Sequence, residues 1–458
     1  MTKKLTICLR ILLLTILLTV TASVKAQDND LYLTGDTTVF MRQLIAVPGV
    51  SNVQRIQSNH YTEKYVLLME QNVDGDDSSH GTFNQRVVVG LKGLDRPTVL
   101  VTEGYDADYS LYPFYEEELA KLFNANLIVC QYRYFGESAP TTPDGESTDK
   151  QGQDYWQYMT VDNSLRDYHH VRQALGSIFS GKWISTGISK GGQTTMFYRA
   201  TYPNDMDVSV SYVAPLNRAV EDGRHEKFLA KKVGTKEERE VVAAAQQELM
   251  NRKDSLMEKY EDWCERQELH FNISMSDVYD FCVMEYPFAL WQWGTPTSSI
   301  PAHDADNETW FKHFTTVSSP DYFECPSSYV PFFVQAAHEL GYYGYSNKGL
   351  KKQMSAKKTK NYLYSVMLPE QLRGIKFDKT LYKRTVKYLK ENDPKHIFIY
   401  GEIDPWTSSG VADWLDCSKK QNMRVFVQPR GSHKARIGNM PDDMKAEIMS
   451  LLTKWLSE

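Results

Sequence analysis

Cysteine is scarce in this 458-residue chain: six in all, with no CxxC pair and no Cys/His spacing suited to zinc. No metal site and no cofactor is implied. Cys8 lies in the N-terminal segment, and the other five (Cys130, Cys264, Cys282, Cys325 and Cys417) cannot all pair. In an exported protein the choice is between one disulfide within the Cys264–Cys325 region and none. Cys130 ends an apolar run and reads as a buried thiol. Past the N-terminus no stretch offers the ~18 consecutive apolar residues of a membrane helix, which excludes a stable span. An excess of positive charge is missing too. The formal charge is −6, and phosphate backbones demand clustered cations, so nucleic acid is excluded as a partner. Lys231-Lys232 and Lys357-Lys358 are short runs that read as solvated helix faces. Fixed-period repeats and extended low-complexity tracts are also absent.

What is present starts with a leader. Lys3, Lys4 and Arg10 precede or enter the apolar run Ile11–Val20, and Val24-Lys25-Ala26 places small residues around a cut after Ala26. This is the pattern of a secretory signal peptide over residues 1–26, the alternative being an uncleaved anchor. A secreted or periplasmic location is expected. Cleavage removes four cations (Lys3, Lys4, Arg10, Lys25) and no acid, taking the formal charge from −6 to −10. The whole chain is 41% hydrophobic and 24% charged, as in soluble globular proteins. The chain's length suits an α/β domain of roughly 250–300 residues carrying an insertion.

Strand-like runs occur at residues 61–70, 85–91, 97–102, 125–132 and 182–186, with polar residues 72–81 reading as a turn. Helical patterns at residues 113–123 and 160–179 alternate with them. Continuous apolar runs suit strands covered on both faces of a mostly parallel sheet with helices on each side. From about Arg218 to Lys360 the pattern changes to helix formers and aromatics, with residues 237–265 able to form one long helix. Strand patterns resume at residues 396–400 and 423–427. The predicted organisation is an α/β-hydrolase core over residues 27–217 and 361–458, interrupted by a helical cap at 218–360.

Gly187-Ile188-Ser189-Lys190-Gly191 fits G-x-S-x-G between a strand and a helix. Such an elbow needs small neighbours, and Gly187, Gly191 and Gly192 supply them. Ser189 is the expected nucleophile; the alternative is a glycine turn whose serine caps the helix. A serine hydroxyl needs a base, and the base needs a carboxylate. In this fold they follow in the order Ser, Asp/Glu, His, each after a later strand. Residues 396–400 run into Gly401-Glu402-Ile403-Asp404-Pro405, which makes Asp404 the expected acid and Glu402 its rival. The last strand leads to Gly431-Ser432-His433, making His433 the expected base. The backbone N–H of Lys190, with that of Tyr105 or Gly104 in the loop after residues 97–101, is the expected oxyanion hole.

With these pieces placed, the chain resembles the secreted prolyl tri/tetrapeptidyl aminopeptidases. The likeness is carried by Thr-Glu-Gly-Tyr (102–105), Gln-Tyr-Arg-Tyr-Phe-Gly-Glu-Ser (131–138) and Thr-Gly-Ile-Ser-Lys-Gly-Gly-Gln-Thr (186–194). It continues in Ser-Tyr-Val-Ala-Pro-Leu-Asn (211–217), Glu-Leu-Gly-Tyr-Tyr-Gly-Tyr (339–345) and Tyr-Gly-Glu-Ile-Asp-Pro-Trp (400–406). One departure is Gln131-Tyr132-Arg133, where the group often has an acidic residue and His before the Arg. The resemblance implies peptide substrates with a free N-terminus and proline before the cut. A charged N-terminus calls for a fixed carboxylate, with Glu339 and Glu103 as candidates. A prolyl ring calls for a compact apolar pocket, which Trp291 and Trp293 could line if they are not simply core. A secreted esterase or lipase with the same triad, or a non-catalytic binding protein on this scaffold, are the rival readings.

Overall fold

A computed structural model describes residues 32, 33, 35–75, 77–141 and 152–458. The leader expected over residues 1–26 lies outside them. The chain divides into two compact units. The first takes the chain through Thr141, then Val161–Val210 and Met449–Glu458; the second contains Ser211–Ile448 with the segment ending at Thr160.

The first unit is built on β1 (Val50–Arg55), β2 (Glu63–Asp74), β3 (Asp77–Leu91), β4 (Thr98–Thr102), β5 (Asn126–Cys130) and β6 (Trp183–Ile188). They lie in the order β1-β2-β3-β5-β4-β6. The first three are antiparallel neighbours, β3 meets β5 antiparallel, and β4 runs parallel to both β5 and β6. Every residue of β4 and β5 is buried, which is why these segments read as unbroken apolar runs rather than alternating ones. Helices α1 (Glu118–Phe123), α2 (Val161–Gly176) and α3 (Lys190–Thr201) connect or follow the parallel strands. Placing β5 outside β4, with the elbow strand β6 on β4's other side, is the α/β-hydrolase arrangement.

Two local expectations change. Residues 72–81 are not a long turn: β2 and β3 pair out to Asp74 opposite Asp77. Backbone pairing there continues through exposed polar side chains, because a hairpin arm needs no apolar face to stay extended. Helix α1 is shorter than residues 113–123. Glu117 accepts from the Ala120 N–H at 2.8 Å and so starts the helix there, and Asn124 ends it in the left-handed region at φ 46°.

The second unit holds α4 (Arg224–Lys231), α5 (Lys236–Asn251), α6 (Lys253–Arg266), α7 (Met275–Trp293), α8 (Asn307–Val317) and α9 (Val330–Gln335). Among the described residues no strand lies between Tyr212 and His396. The expected single helix over 237–265 is two, parted at Arg252. Its guanidinium bonds Glu248, Asn307 and the His303 carbonyl, while the next side chain, Lys253, buries its ammonium on Asp280 at 2.6 Å. Strands β8 (His396–Gly401) and β9 (Met423–Gln428) are parallel and in register from His396↔Met423 to Gly401↔Gln428. β7 (Val208–Tyr212) precedes them in the chain.

Of the two alternatives for the central cysteines, the structure has no disulfide among the described residues. All five described cysteines are free, with Cys130, Cys264, Cys282 and Cys325 buried. Two sulfurs of the central region have their own partners: Tyr260 donates to Cys282 at 3.0 Å, and the Asn272 amide sits 2.7 Å from Cys325. Cys130 is a buried thiol, as its position in β5 suggests. Among the described residues no helix is long and apolar enough to cross a membrane.

Candidate active site

In the first unit, β6 ends and α3 begins across a single residue. Ser189 has φ 57° and ψ −117°, a region that costs a non-glycine residue ~1–3 kcal/mol and persists only where its surroundings enforce it. The surroundings here are backbone. A Cβ on Gly187 would lie 2.4 Å from the Gly191 backbone and 2.6 Å from the Thr102 carbonyl, and one on Gly191 would lie 2.7 Å from that same oxygen. The glycines of the motif therefore permit contact between the end of β4 and the start of α3. Thr102 closes the contact, with its hydroxyl 2.6 Å from Thr195 Oγ1 and 3.2 Å from the Gly191 carbonyl. The half-buried Ser189 makes no capping bond to α3, so the helix-cap alternative fails.

The loop after β4 lies against this elbow. A Cβ on Gly104 would come within 2.7 Å of the Lys190 side chain and 3.0 Å of the Gly191 nitrogen. The Gly104 N–H points to the Glu103 carboxylate at 3.3 Å, and the Tyr105 carbonyl accepts from Tyr132 at 3.1 Å. Tyr109 also donates to Glu103. Loss of hydration pushes the Glu103 carboxyl up to about 7, against the pull of Tyr109, Gly104 and the Lys190 charge. Nearby, Gln131 donates to Asp106 at 2.6 Å and accepts from Ser138. Buried Arg133 grips Asp167 with two bonds of 2.7 Å. That bidentate pair fastens the end of β5 to α2.

In the second unit, the loops after β8 and β9 bring Asp404 and His433 together. Asp404 Oδ2 lies 2.6 Å from His433 Nδ1, with both residues buried. A carboxylate acceptor requires the proton on Nδ1, which leaves Nε2 with its lone pair. The other oxygen, Asp404 Oδ1, accepts from the Trp406 N–H at 3.1 Å. Asp404 thus starts its turn and holds the imidazole at once. Glu402 is exposed and accepts instead from the Arg430 N–H at 2.7 Å. His433 is also held by its backbone: its N–H donates to the Gln292 carbonyl at 2.9 Å, near the C-terminus of α7. Trp293 stands edge-on to the His433 ring at 5.9 Å.

The other candidates are dispersed. Trp291 is buried, its ring so near Gly234 that a Cβ there would lie 2.5 Å away, which is core packing. Glu339 occupies the turn Ala336–Leu340 after α9, 3.7 Å from His338, whose pKa it raises. The sequence reading missed Glu285. This carboxylate on α7 is buried and accepts from Tyr343 at 2.9 Å, and Tyr343 is in turn bonded to Tyr322. Burial pushes Glu285 up to about 8. Tyr343 stacks on Phe288 at 3.8 Å, and Phe288 meets Trp406 edge-on, two residues from Asp404. A glutamate inside an apolar helical run was the available signal.

Comparison with known proteins follows the same lines. The PS-10 peptidase S37 family model matches residues 36–457. A prolyl tri/tetrapeptidyl aminopeptidase of Streptomyces mobaraensis is 27% identical over 423 residues, covering 90% of this chain and 84% of that protein. A lysosomal Pro-X carboxypeptidase of Pongo abelii is 26% identical over 161 residues, 33% of this chain and 32% of that protein. A solved proline iminopeptidase of Mycobacterium smegmatis overlays with a TM-score of 0.41 at 12% identity, covering 81% of this chain and 96% of that one. Matched by one family model over nearly its whole length, the chain belongs to the PS-10 peptidase S37 family and is a serine peptidase.

Proposed function

We propose that the protein is an exported exopeptidase that cleaves after proline and releases short peptides from free N-termini. Ser189 is the nucleophile, His433 the base and Asp404 the carboxylate that orients it. His433 Nε2 takes the hydroxyl proton as Ser189 Oγ attacks the prolyl carbonyl carbon. The resulting oxyanion is met by the N–H groups of Lys190 and Tyr105, because the Gly104 N–H is turned to Glu103. Collapse breaks the C–N bond, the imidazolium gives its proton to the leaving amine, and water repeats the cycle on the ester. The observation that carries this reading is the buried Asp404–His433 pair at 2.6 Å on two successive strand-end loops. The choice of proline and of the N-terminal end rests on likeness to the Streptomyces protein.

Glu339 and Glu103 are the carboxylates proposed to read the substrate's ammonium, and Trp293 a wall for the prolyl ring. The test is hydrolysis of Ala-Ala-Pro-anilide with a free and an acetylated N-terminus. Acetylation is expected to cut the rate at least ~100-fold, since a site built around an ammonium rejects what cannot pair with it. Glu339→Gln or Glu103→Gln, whichever removes that discrimination, identifies the reader. Equal rates on both substrates would mean an endopeptidase. Cleavage only of peptides with a free C-terminal carboxylate would mean a carboxypeptidase. Turnover surviving Ser189→Ala would end the triad reading. For export, N-terminal sequencing of the processed protein should begin at Gln27.

A further inference from the structure

The side chain that follows the nucleophile is an ammonium sealed inside the first unit. Lys190 is 2% exposed. Its Nζ donates to the Gly104 carbonyl at 2.5 Å and lies 3.5 Å from the centroid of the Tyr132 ring, with Tyr105 at 5.4 Å and Phe135 at 5.9 Å. Burying an ammonium is expensive. A methionine would fill the same aromatic cage without that cost, so packing alone does not account for the charge.

The bonded carbonyl matters because of what shares its peptide group. Gly104 C=O and Tyr105 N–H belong to one planar trans unit, in which the two bonds point in opposite directions and their dipoles add. A cation holding the oxygen from one side fixes the N–H toward the other. It also draws electron density from the amide and strengthens that N–H as a donor, in the way charge-assisted bonds exceed neutral ones. The neighbouring carbonyls are pinned as well: Glu103 accepts from Tyr168 at 3.2 Å, and Tyr105 from Tyr132 at 3.1 Å.

We infer that the Lys190 ammonium is a positioning group that orients and polarises the Gly104–Tyr105 peptide as the second donor of the oxyanion hole. Lys190 then serves the oxyanion twice, directly through its own N–H and indirectly through its Nζ. The inference rests on Ser189 being the nucleophile.

The experiment compares Lys190→Met and Lys190→Gln with the unaltered enzyme. With Lys190→Met, kcat should fall ~10- to 100-fold, less than or comparable to losing an oxyanion donor outright. KM should stay within about twofold, and affinity for a peptidyl-proline boronate, whose adduct carries the tetrahedral oxyanion, should fall by the same factor as kcat. Inhibition by the product peptide should not change. Lys190→Gln, which keeps a neutral donor, should lie between. A folded variant of either kind with kcat within twofold of the unaltered enzyme, or with the loss confined to KM, overturns the inference. Should neither variant fold, the unaltered protein decides. Boronate binding should move the Tyr105 amide proton strongly downfield, and an unmoved resonance overturns the proposal. Failure of the triad reading is separate: it would show as absent fluorophosphonate labelling or an active Ser189→Ala enzyme.

Discussion

At the scale of single residues, position relative to a strand end separates chemistry from scaffolding. Asp404 and Glu402 are two residues apart, yet one holds an imidazole nitrogen and the other a backbone N–H. Asp404→Asn should preserve the fold but present an amide where His433 Nδ1–H needs a carboxylate, lowering kcat by about 10⁴. Glu402→Gln should stay within a few-fold of the parent in the same anilide assay. Equal losses in the two variants would mean that the observed pairing is not what matters. Both residues were legible in the sequence, because loop, strand and residue type coincide within a dozen positions. The aromatic cage of Lys190 was not. Tyr105, Tyr132 and Phe135 approach it only through the pairing of β4 with β5 and β6, and nothing local to Lys190 announces them. Glu285 was hidden for a similar reason: its bonded partner Tyr343 is 58 residues away.

At the scale of elements, one junction near the elbow is made by close backbone approach. β4 and α3 touch through Gly187, Gly191 and Thr102. Gly187→Ala should destabilise the protein by ~1–3 kcal/mol in denaturant melts, because its Cβ meets main chain that cannot rotate away. Thr102→Val keeps the shape and loses only hydrogen bonds, so it should cost less, about 1 kcal/mol; the reverse ranking would show that bonding, not approach, joins the two elements. The parallel strands were readable because burial on both faces leaves a continuous apolar run. The β2–β3 arms and the break at Arg252 were not. Both depend on partners outside the segment, backbone pairing in the first case and the contacts of Arg252 and Lys253 in the second.

For the molecule as a whole, burial pushes several of the described carboxyls up, among them Glu103 to about 7, Glu117 to about 8 and Glu285 to about 8, each chiefly through loss of hydration. Their ordinary value is 4.5. These groups bind more protons in the folded than in the unfolded state between about pH 4.5 and 8, so their contribution to stability falls as pH rises through that window, while His225 and His313, pushed down to about 4 by burial, oppose it below about pH 6.5. Asp222, held low chiefly by Arg224 against its own burial, works oppositely and loses its contribution as pH falls below the usual carboxylate range. The melting temperature should accordingly drop from about pH 6.5 to pH 8, where, of these groups, only the raised carboxyls titrate. Glu285→Gln should flatten that drop while changing little at pH 5; an unchanged slope would mean that Glu285 ionises normally. Finally, the hydrogen bond from His433 N–H to the Gln292 carbonyl makes the end of α7 part of the mounting of the proposed base. Anyone grafting helices from another hydrolase into this scaffold to change its diet would have to carry that carbonyl across, or the transplant would arrive with the His433 loop unmoored.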